Sequence, residues 1–88
     1  MRVQERVIKV SQAGLSLRVW CAAADLRDDA EFEEQRASIV RAVTPEVTAA
    51  DHPAVDAAEA VAKLPFCNGV EVSDGPLRQA VIIYPEWP

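Results

Sequence analysis

The sequence predicts an α+β domain in which a four-stranded antiparallel sheet carries two helices packed on one face, in the order ββααββ. Three observations support this fold class. Apolar and polar side chains alternate near the N-terminus, apolar residues recur at helical spacing in the middle of the chain, and short β-rich segments separated by turn residues follow. The 88 residues, half of them apolar, correspond to a single domain spanning 1–88.

The first two strands are predicted to form a β-hairpin over residues 2–22. Residues 3–10 are rich in β-branched side chains, which favour strands. The next segment has period two, with Leu15, Leu17, Val19 and Cys21 on one side and Ser16, Arg18 and Trp20 on the other. Gly14 lies in the intervening loop of residues 11–14, where it can supply the positive φ that a tight hairpin needs.

The first helix is expected to begin near Asp28, because Glu31 follows it at the spacing of a capping box. It should end before Pro45, since the residue preceding a proline is disfavoured in the α region. A helical projection of residues 30–43 separates an inward stripe from an outward side. The stripe contains Phe32, Arg36, Ile39, Val40 and Val43, and the outward side contains Glu31, Glu34, Ser38 and Arg41.

The second helix is expected to begin at Pro53, with Asp51 or His52 as its cap, and to end at Leu64. Residues 44–46 can form a single extra turn before it. The inward side of this helix is rich in alanine and contains Ala54, Ala57, Ala58, Val61, Ala62 and Leu64. Such small side chains predict that the helix lies close to the sheet.

Two further strands are predicted after this helix. Asn68 and Gly69 indicate a turn, residues 70–72 a short strand, and residues 73–76 a second turn. The last strand covers residues 77–84, which are apolar without alternation. A strand that is buried on both faces reads this way, so we expect it in the interior of the sheet.

Composition limits the class of protein further. The net charge of −5 and the pI near 4.7 disfavour non-specific contact with nucleic acid or anionic membranes. No apolar run is long enough to span a bilayer, and no signal peptide is recognised at the N-terminus. We therefore expect a cytoplasmic protein, with Cys21 and Cys67 as reduced, buried thiols.

A block of carboxylates precedes and opens the first predicted helix. It consists of Asp25, Asp28, Asp29, Glu31, Glu33 and Glu34. Acidic residues at a helix N-terminus stabilise the free amides and the macrodipole, which accounts for about half of the block. The alternative is a phosphate mimic, in which carboxylates occupy a protein groove that binds nucleic acid. Both interpretations remain open at this point.

A basic segment contrasts with the acidic block. Residues 1–20 carry Arg2, Arg6, Lys9 and Arg18 against one acidic residue, Glu5. Trp20 shares the polar side of its strand with Arg18, a composition typical of interface hot spots and able to stack a nucleobase. The alternative is that Trp20 packs under a helix. Trp87 near the C-terminus is a second aromatic residue that is expected either to fill a crevice or to contact a partner.

Catalytic and metal sites find little support in the residue pattern. Cys21, His52 and Cys67 stand singly in separate segments, without the paired spacing of zinc ligands. The loop around Asp25 departs from a calcium loop at its third, sixth and twelfth positions. No nucleophile elbow or glycine-rich phosphate loop is present. The sequence therefore predicts a protein that is not an enzyme and that uses no cofactor and no metal.

The function predicted from these features is protein–protein interaction. In size and charge, though in no motif, the chain resembles the small phage-encoded anti-CRISPR proteins. The resemblance implies an acidic inhibitor that occupies a basic, nucleic-acid-binding surface of a larger complex in the host cytoplasm. Two alternatives remain: a self-associating structural or assembly subunit, possible as a homodimer, and direct nucleic-acid binding by the basic N-terminal hairpin. The predicted contact residues are Asp25, Asp28, Asp29, Glu31, Glu33, Glu34, Arg18 and Trp20.

Overall fold

The computed structural model describes residues 4–49, 51–74 and 79–83. The elements are β1 (Gln4–Gln12), β2 (Leu15–Ala23), α1 (Asp29–Ala42), α2 (Pro45–Thr48), α3 (Pro53–Ala62), β3 (Cys67–Asp74) and β4 (Gln79–Ile83). The α+β class is confirmed. The predicted fold, a four-stranded sheet with two helices in the order ββααββ, is wrong, because three helices follow the hairpin and the described order is ββαααββ.

The sheet is antiparallel throughout and has the strand order β1-β2-β3-β4. The first three strands form the part of the sheet whose side chains are described, and β4 continues it through backbone pairing with β3. The expectation that the last strand lies in the interior is wrong, since among the described strands β4 is at the edge of the sheet and β3 is internal. The apolar sequence of this strand therefore did not predict its position in the sheet.

The predicted turn at Asn68 and Gly69 is also wrong, because both residues belong to β3. Trp20 of β2 pairs with Gly69, whereas the next residue, Cys21, pairs with Cys67. Asn68 is therefore the extra residue of a β-bulge. Turn-forming residues inside a strand commonly mark such a bulge, which bends the strand without ending it.

The hairpin connection is shorter than the sequence indicates. Residues 11 and 12 belong to β1, so the turn consists of Ala13 and Gly14 alone. Both have positive φ, 53° at Ala13 and 82° at Gly14, as a type I′ turn requires. Gly14 adopts this conformation without strain, whereas an alanine in the left-handed region is unfavourable.

We expect the substitution Ala13→Asn to stabilise the protein by about 1 kcal/mol, because asparagine tolerates the left-handed region better than alanine does. Urea denaturation of both proteins measures the difference. Gly14→Ala is the converse variant: open space surrounds the position of its Cβ, so any loss of stability reports the backbone conformation alone. Equal stabilities for all three proteins would contradict the turn assignment.

Helix boundaries follow their capping residues. The side chain of Asp28 accepts a hydrogen bond from the Glu31 amide at 3.1 Å, which confirms the predicted start of α1. The predicted extra turn is the separate helix α2, capped by the Thr44 hydroxyl, which accepts from the Val47 amide at 3.2 Å. α3 begins at Pro53 as predicted, after His52 as its N-cap residue.

The core lies between the helices and one face of the sheet, which we call the helix face. The strands contribute Ile8, Val10, Leu15, Leu17, Val19, Cys21, Ala23, Cys67, Val70 and Val72, all buried. The helices and the C-cap residue of α1, Val43, contribute Ile39, Val43, Ala54, Ala57, Ala58 and Val61. The alanine-rich inward side predicted for α3 is confirmed, with Ala62 and Leu64 partly buried against it. We call the opposite side of the sheet the open face.

Candidate interaction surfaces

A polar cluster attaches α1 to the end of the hairpin. Arg6 lies on the helix face of β1, and its Nη2 donates to Glu31 Oε1 at 2.8 Å. Its Nε donates to Gln35 Oε1 at 3.2 Å, and its guanidinium lies 5.4 Å from the ring centroid of Phe32. The side chains of Arg6 and Glu31 are only 11% and 26% exposed. One carboxylate of the acidic block is thus used to fold the protein.

The same cluster holds the chain that connects β2 to α1. Both carboxylate oxygens of Glu31 accept from the Ala24 amide at 3.2 Å. Gln35 is buried, and its Nε2 donates to the Ala22 carbonyl at 2.8 Å. The helical projection was right about Ile39 and Val43, which are buried, but wrong about Glu31, which faces the sheet beside Gln35, and about Arg36, which is exposed. An arginine on the helix face of a strand was the one sequence signal that an acidic partner would come from the helix layer.

The rest of the acidic block divides into two groups. Asp28 is the cap of α1, and Asp25 accepts from the Arg27 amide at 2.9 Å and lies 3.6 Å from Arg27 Nε in an exposed ion pair. Asp29, Glu33 and Glu34 are exposed, and no hydrogen bond or ion pair involves their side chains within the described part of the chain. We call these three residues the acidic helix surface.

The acidic helix surface lies on α1 away from the sheet. Glu33 is two residues from the buried Gln35, so it points almost directly away from it around the helix. Arg36 is exposed on the same helix and forms no ion pair among the described residues. The surface is thus negative but not free of positive charge.

Trp20 and Arg18 lie on the open face, so the alternative in which Trp20 packs under a helix is wrong. In the register of the sheet, Trp20 stands between Val7 and Gly69. Arg18 stands between Lys9 and Glu71. Trp20 is half-buried, whereas Val7 is 43% exposed and Lys9 and Arg18 are exposed. The two sets of predicted contact residues therefore occupy opposite sides of the molecule.

The basic character of the hairpin is reduced by its folding. Arg6, one of its predicted cations, faces the helix layer and is paired with Glu31. Lys9 and Arg18 remain on the open face. Arg2 and Trp87 lie outside the described residues. Direct nucleic-acid binding by this hairpin therefore has fewer available cations than the sequence indicates.

The two cysteines face each other across β2 and β3. Both are buried and free, as predicted. The Cys21 thiol donates to the Val19 carbonyl at 3.5 Å and the Cys67 thiol to the Gly69 carbonyl at 3.4 Å. Burial, together with the neighbouring Cys67 thiol, raises the pKa of Cys21 to about 12, and burial also raises the pKa of Cys67. Such thiols are poor nucleophiles in the folded protein.

These pKa values make stability fall at alkaline pH. A thiol with its pKa raised from 9.0 toward 12 stays protonated in the folded state, while the unfolded chain ionises. The contribution of the thiols to the free energy of unfolding is therefore fully present below pH 9. It decreases between about pH 9 and 12, by at most about 1.4 kcal/mol per pH unit for each thiol. Urea denaturation from pH 7 to 10.5 should show a steeper decline for the parent protein than for the variant Cys21→Ala/Cys67→Ala. Parallel declines would contradict this assignment.

Other candidate chemistry is not assembled in the structure. His52 is exposed at the start of α3, whereas Cys67 is buried under the helix layer. Among the described residues, no three His, Cys, Asp or Glu side chains form a group that could hold a metal ion. None of the described helices has the length and apolar character needed to cross a membrane. Comparisons with family models, with curated proteins and with solved structures found no significant match to this chain.

Proposed function

We propose that the protein is a non-enzymatic protein-binding module whose acidic helix surface occupies a basic, nucleic-acid-binding surface of a larger partner. The observation that supports the proposal is the division of the acidic block. Asp28 and Glu31 have structural roles, whereas Asp29, Glu33 and Glu34 remain exposed on a regular helix without a partner in the described residues. Carboxylates held in this way can form the same arginine and lysine contacts that phosphates form.

The stability of the helix accounts for Asp29, which lies in its first turn, but not for Glu33 and Glu34. Asp29 and Glu33 are four residues apart, where like charges destabilise a helix by about 0.2–0.5 kcal/mol. Glu33 and Glu34 also lie beyond the first turn, where the favourable effect of the macrodipole has declined. Arg36, three residues after Glu33, supplies an opposite charge that offsets this repulsion, so neutral residues at Glu33 and Glu34 would change the stability of α1 by no more than about 0.5 kcal/mol. A role in binding is a reason for their presence.

An inhibitor of the anti-CRISPR type is one protein that would use such a surface. It would act in the cytoplasm of a host cell by blocking access of a nucleic acid to its binding groove. The proposal requires that the partner surface be basic and that nucleic acid compete for it. A basic partner surface and competition by nucleic acid distinguish this function from ordinary protein association.

The proposal is tested by capture and competition. Immobilised protein is incubated with lysate of a bacterial host, and the bound proteins are identified by mass spectrometry. We expect a nucleic-acid-binding protein that is released by duplex DNA or RNA and whose affinity falls steeply between about 50 and 200 mM salt. Capture that resists both nucleic acid and salt would contradict the proposal, whatever protein is recovered.

A further inference from the structure

We propose that the protein forms a homodimer in which the β1 strands of two copies pair antiparallel about a two-fold axis at Val7. The sheets of both copies then form one continuous sheet. This interaction is independent of the proposed binding by the acidic helix surface, which lies in the helix layer. It follows from three features of β1: an edge with which no other described strand pairs, its charges and its exposed valine.

The edge of β1 offers regularly spaced backbone groups. The two-residue turn makes Gln12 and Leu15 a hydrogen-bonded pair, and such pairs alternate along an antiparallel ladder. The N–H and C=O groups of Glu5, Val7, Lys9 and Ser11 therefore point away from β2. β2 is the only strand paired with β1 in the described part of the chain. A second strand can satisfy these groups by β-augmentation.

The charges of the edge select one register for two copies of the strand. With Val7 opposite Val7, Glu5 of each copy lies opposite Lys9 of the other. All three residues are among those whose backbone groups point outward. Shifting the register by one hydrogen-bonded pair removes both opposite-charge contacts, and shifting it by two pairs brings two lysines or two glutamates face to face. Opposite charges favour such cross-strand pairs, and like charges disfavour them.

The contact with Glu5 of the second copy offsets an unfavourable charge arrangement at Lys9. In the monomer it lies directly opposite Arg18, a like-charge pair, while Glu71 flanks Arg18 on its other side. The dimer gives each cation its own carboxylate, Glu71 for Arg18 and Glu5 of the second copy for Lys9. Glu5 already accepts a hydrogen bond from Asn68 Nδ2 at 2.6 Å, and a carboxylate can accept further bonds.

The apolar residues of the open face agree with the same register. Val7 is 43% exposed and lies beside the half-buried Trp20. Pairing about Val7 aligns Trp20, Val7, Val7 and Trp20 of the two copies in one apolar row across the joined sheet. Dimerisation therefore buries part of the exposed valine surface and extends the packing of the tryptophan.

The dimer is tested by sedimentation velocity and by amide hydrogen exchange over a range of protein concentrations. We expect a Kd on the order of 10 μM, and amides of Val7 and Lys9 that become protected as concentration rises. Because the substituted side chains are exposed, the variants should fold as the parent protein does, and circular dichroism checks that they are folded. Val7→Lys, which puts two lysines on the axis, should leave the protein monomeric at about 100 μM.

A charge exchange separates this register from other dimers. Lys9→Glu brings glutamates opposite each other and should weaken the dimer about tenfold or more, whereas the double variant Glu5→Lys/Lys9→Glu should restore it. Asn68→Ala controls for loss of the Glu5 hydrogen bond and should leave the Kd within about threefold. A monomeric parent protein at about 100 μM, or a dimer that none of these variants changes, would overturn the proposal. Neither result bears on capture by the acidic helix surface.

Discussion

Replacement of Arg6 by alanine is expected to lower the free energy of unfolding by about 2–4 kcal/mol, a large part of the stability of so small a domain. The substitution removes the 2.8 Å ion pair with Glu31, the 3.2 Å hydrogen bond to Gln35 and the contact with the Phe32 ring. It also leaves the partly buried Glu31 carboxylate without its cation and with only backbone amides such as that of Ala24 as donors, and a charge shielded from water costs more to leave unpaired than a surface bond costs to lose. Urea denaturation monitored by tryptophan fluorescence measures the effect.

Arg41→Ala is the matched control for Arg6→Ala. Arg41 lies at the other end of α1, is exposed, and donates only to the Ser38 hydroxyl at 3.1 Å among the described contacts. Its replacement should change stability by no more than about 0.5 kcal/mol. A double-mutant cycle with Glu31→Ala then isolates the coupling, which we expect at about 1–3 kcal/mol. Equal effects of the two arginine substitutions would show that the cluster does not hold α1 in place.

The sequence predicted those parts of the fold that depend on neighbouring residues. Asp28 caps α1 through an amide only three residues away, and the alternation from Leu15 onward fixes which side of β2 is buried. The alanine-rich side of α3 was predicted for the same reason. Each of these patterns depends only on residues within, or next to, a single helix or strand.

Features that depend on distant pairing were not predictable in the same way. The Asn68-Gly69 pair is typical of turns, and only the register with Trp20 and Cys21 makes it a bulge. The position of β4 at the edge depends on the whole sheet and not on its apolar sequence.

The candidate site shows the same limit. The acidic block was visible as composition, but the separation of Glu31 from its neighbours depends on Arg6, which is 25 residues away in the sequence. The direction in which Arg6 points follows from the hairpin register, and the direction of Glu31 follows from the way α1 packs on the sheet. The structure thus reduces six candidate carboxylates to three without a bond among the described residues.

Reversing the charge of Glu33 and Glu34 to lysine is expected to weaken binding to the captured partner by about 100-fold or more, because two attractive contacts with a basic surface become repulsive. Fold stability should change by no more than about 0.5 kcal/mol, since Glu33→Lys makes the pair with Asp29 an opposite-charge pair but makes the pair with Arg36 a like-charge pair. The affinity is measured by surface plasmon resonance with the purified partner, and stability by thermal denaturation. A loss of binding without loss of stability is the result that a purely structural role cannot give.

The variant Asp56→Lys/Glu59→Lys is the matched control, because it makes the same change in net charge on α3, whose carboxylates belong to no proposed contact. If binding depends on the acidic helix surface, this variant should lose no more than about tenfold in affinity, because it affects only the long-range electrostatic attraction. The difference in affinity between the two variants should become smaller as the salt concentration increases. If both variants lose affinity equally, the partner responds to total charge, and the geometry of α1 has no special role. If neither variant loses affinity, the partner binds another surface. The open face with Arg18 and Trp20 is then the next candidate, and the affinity and stability of Trp20→Ala test it.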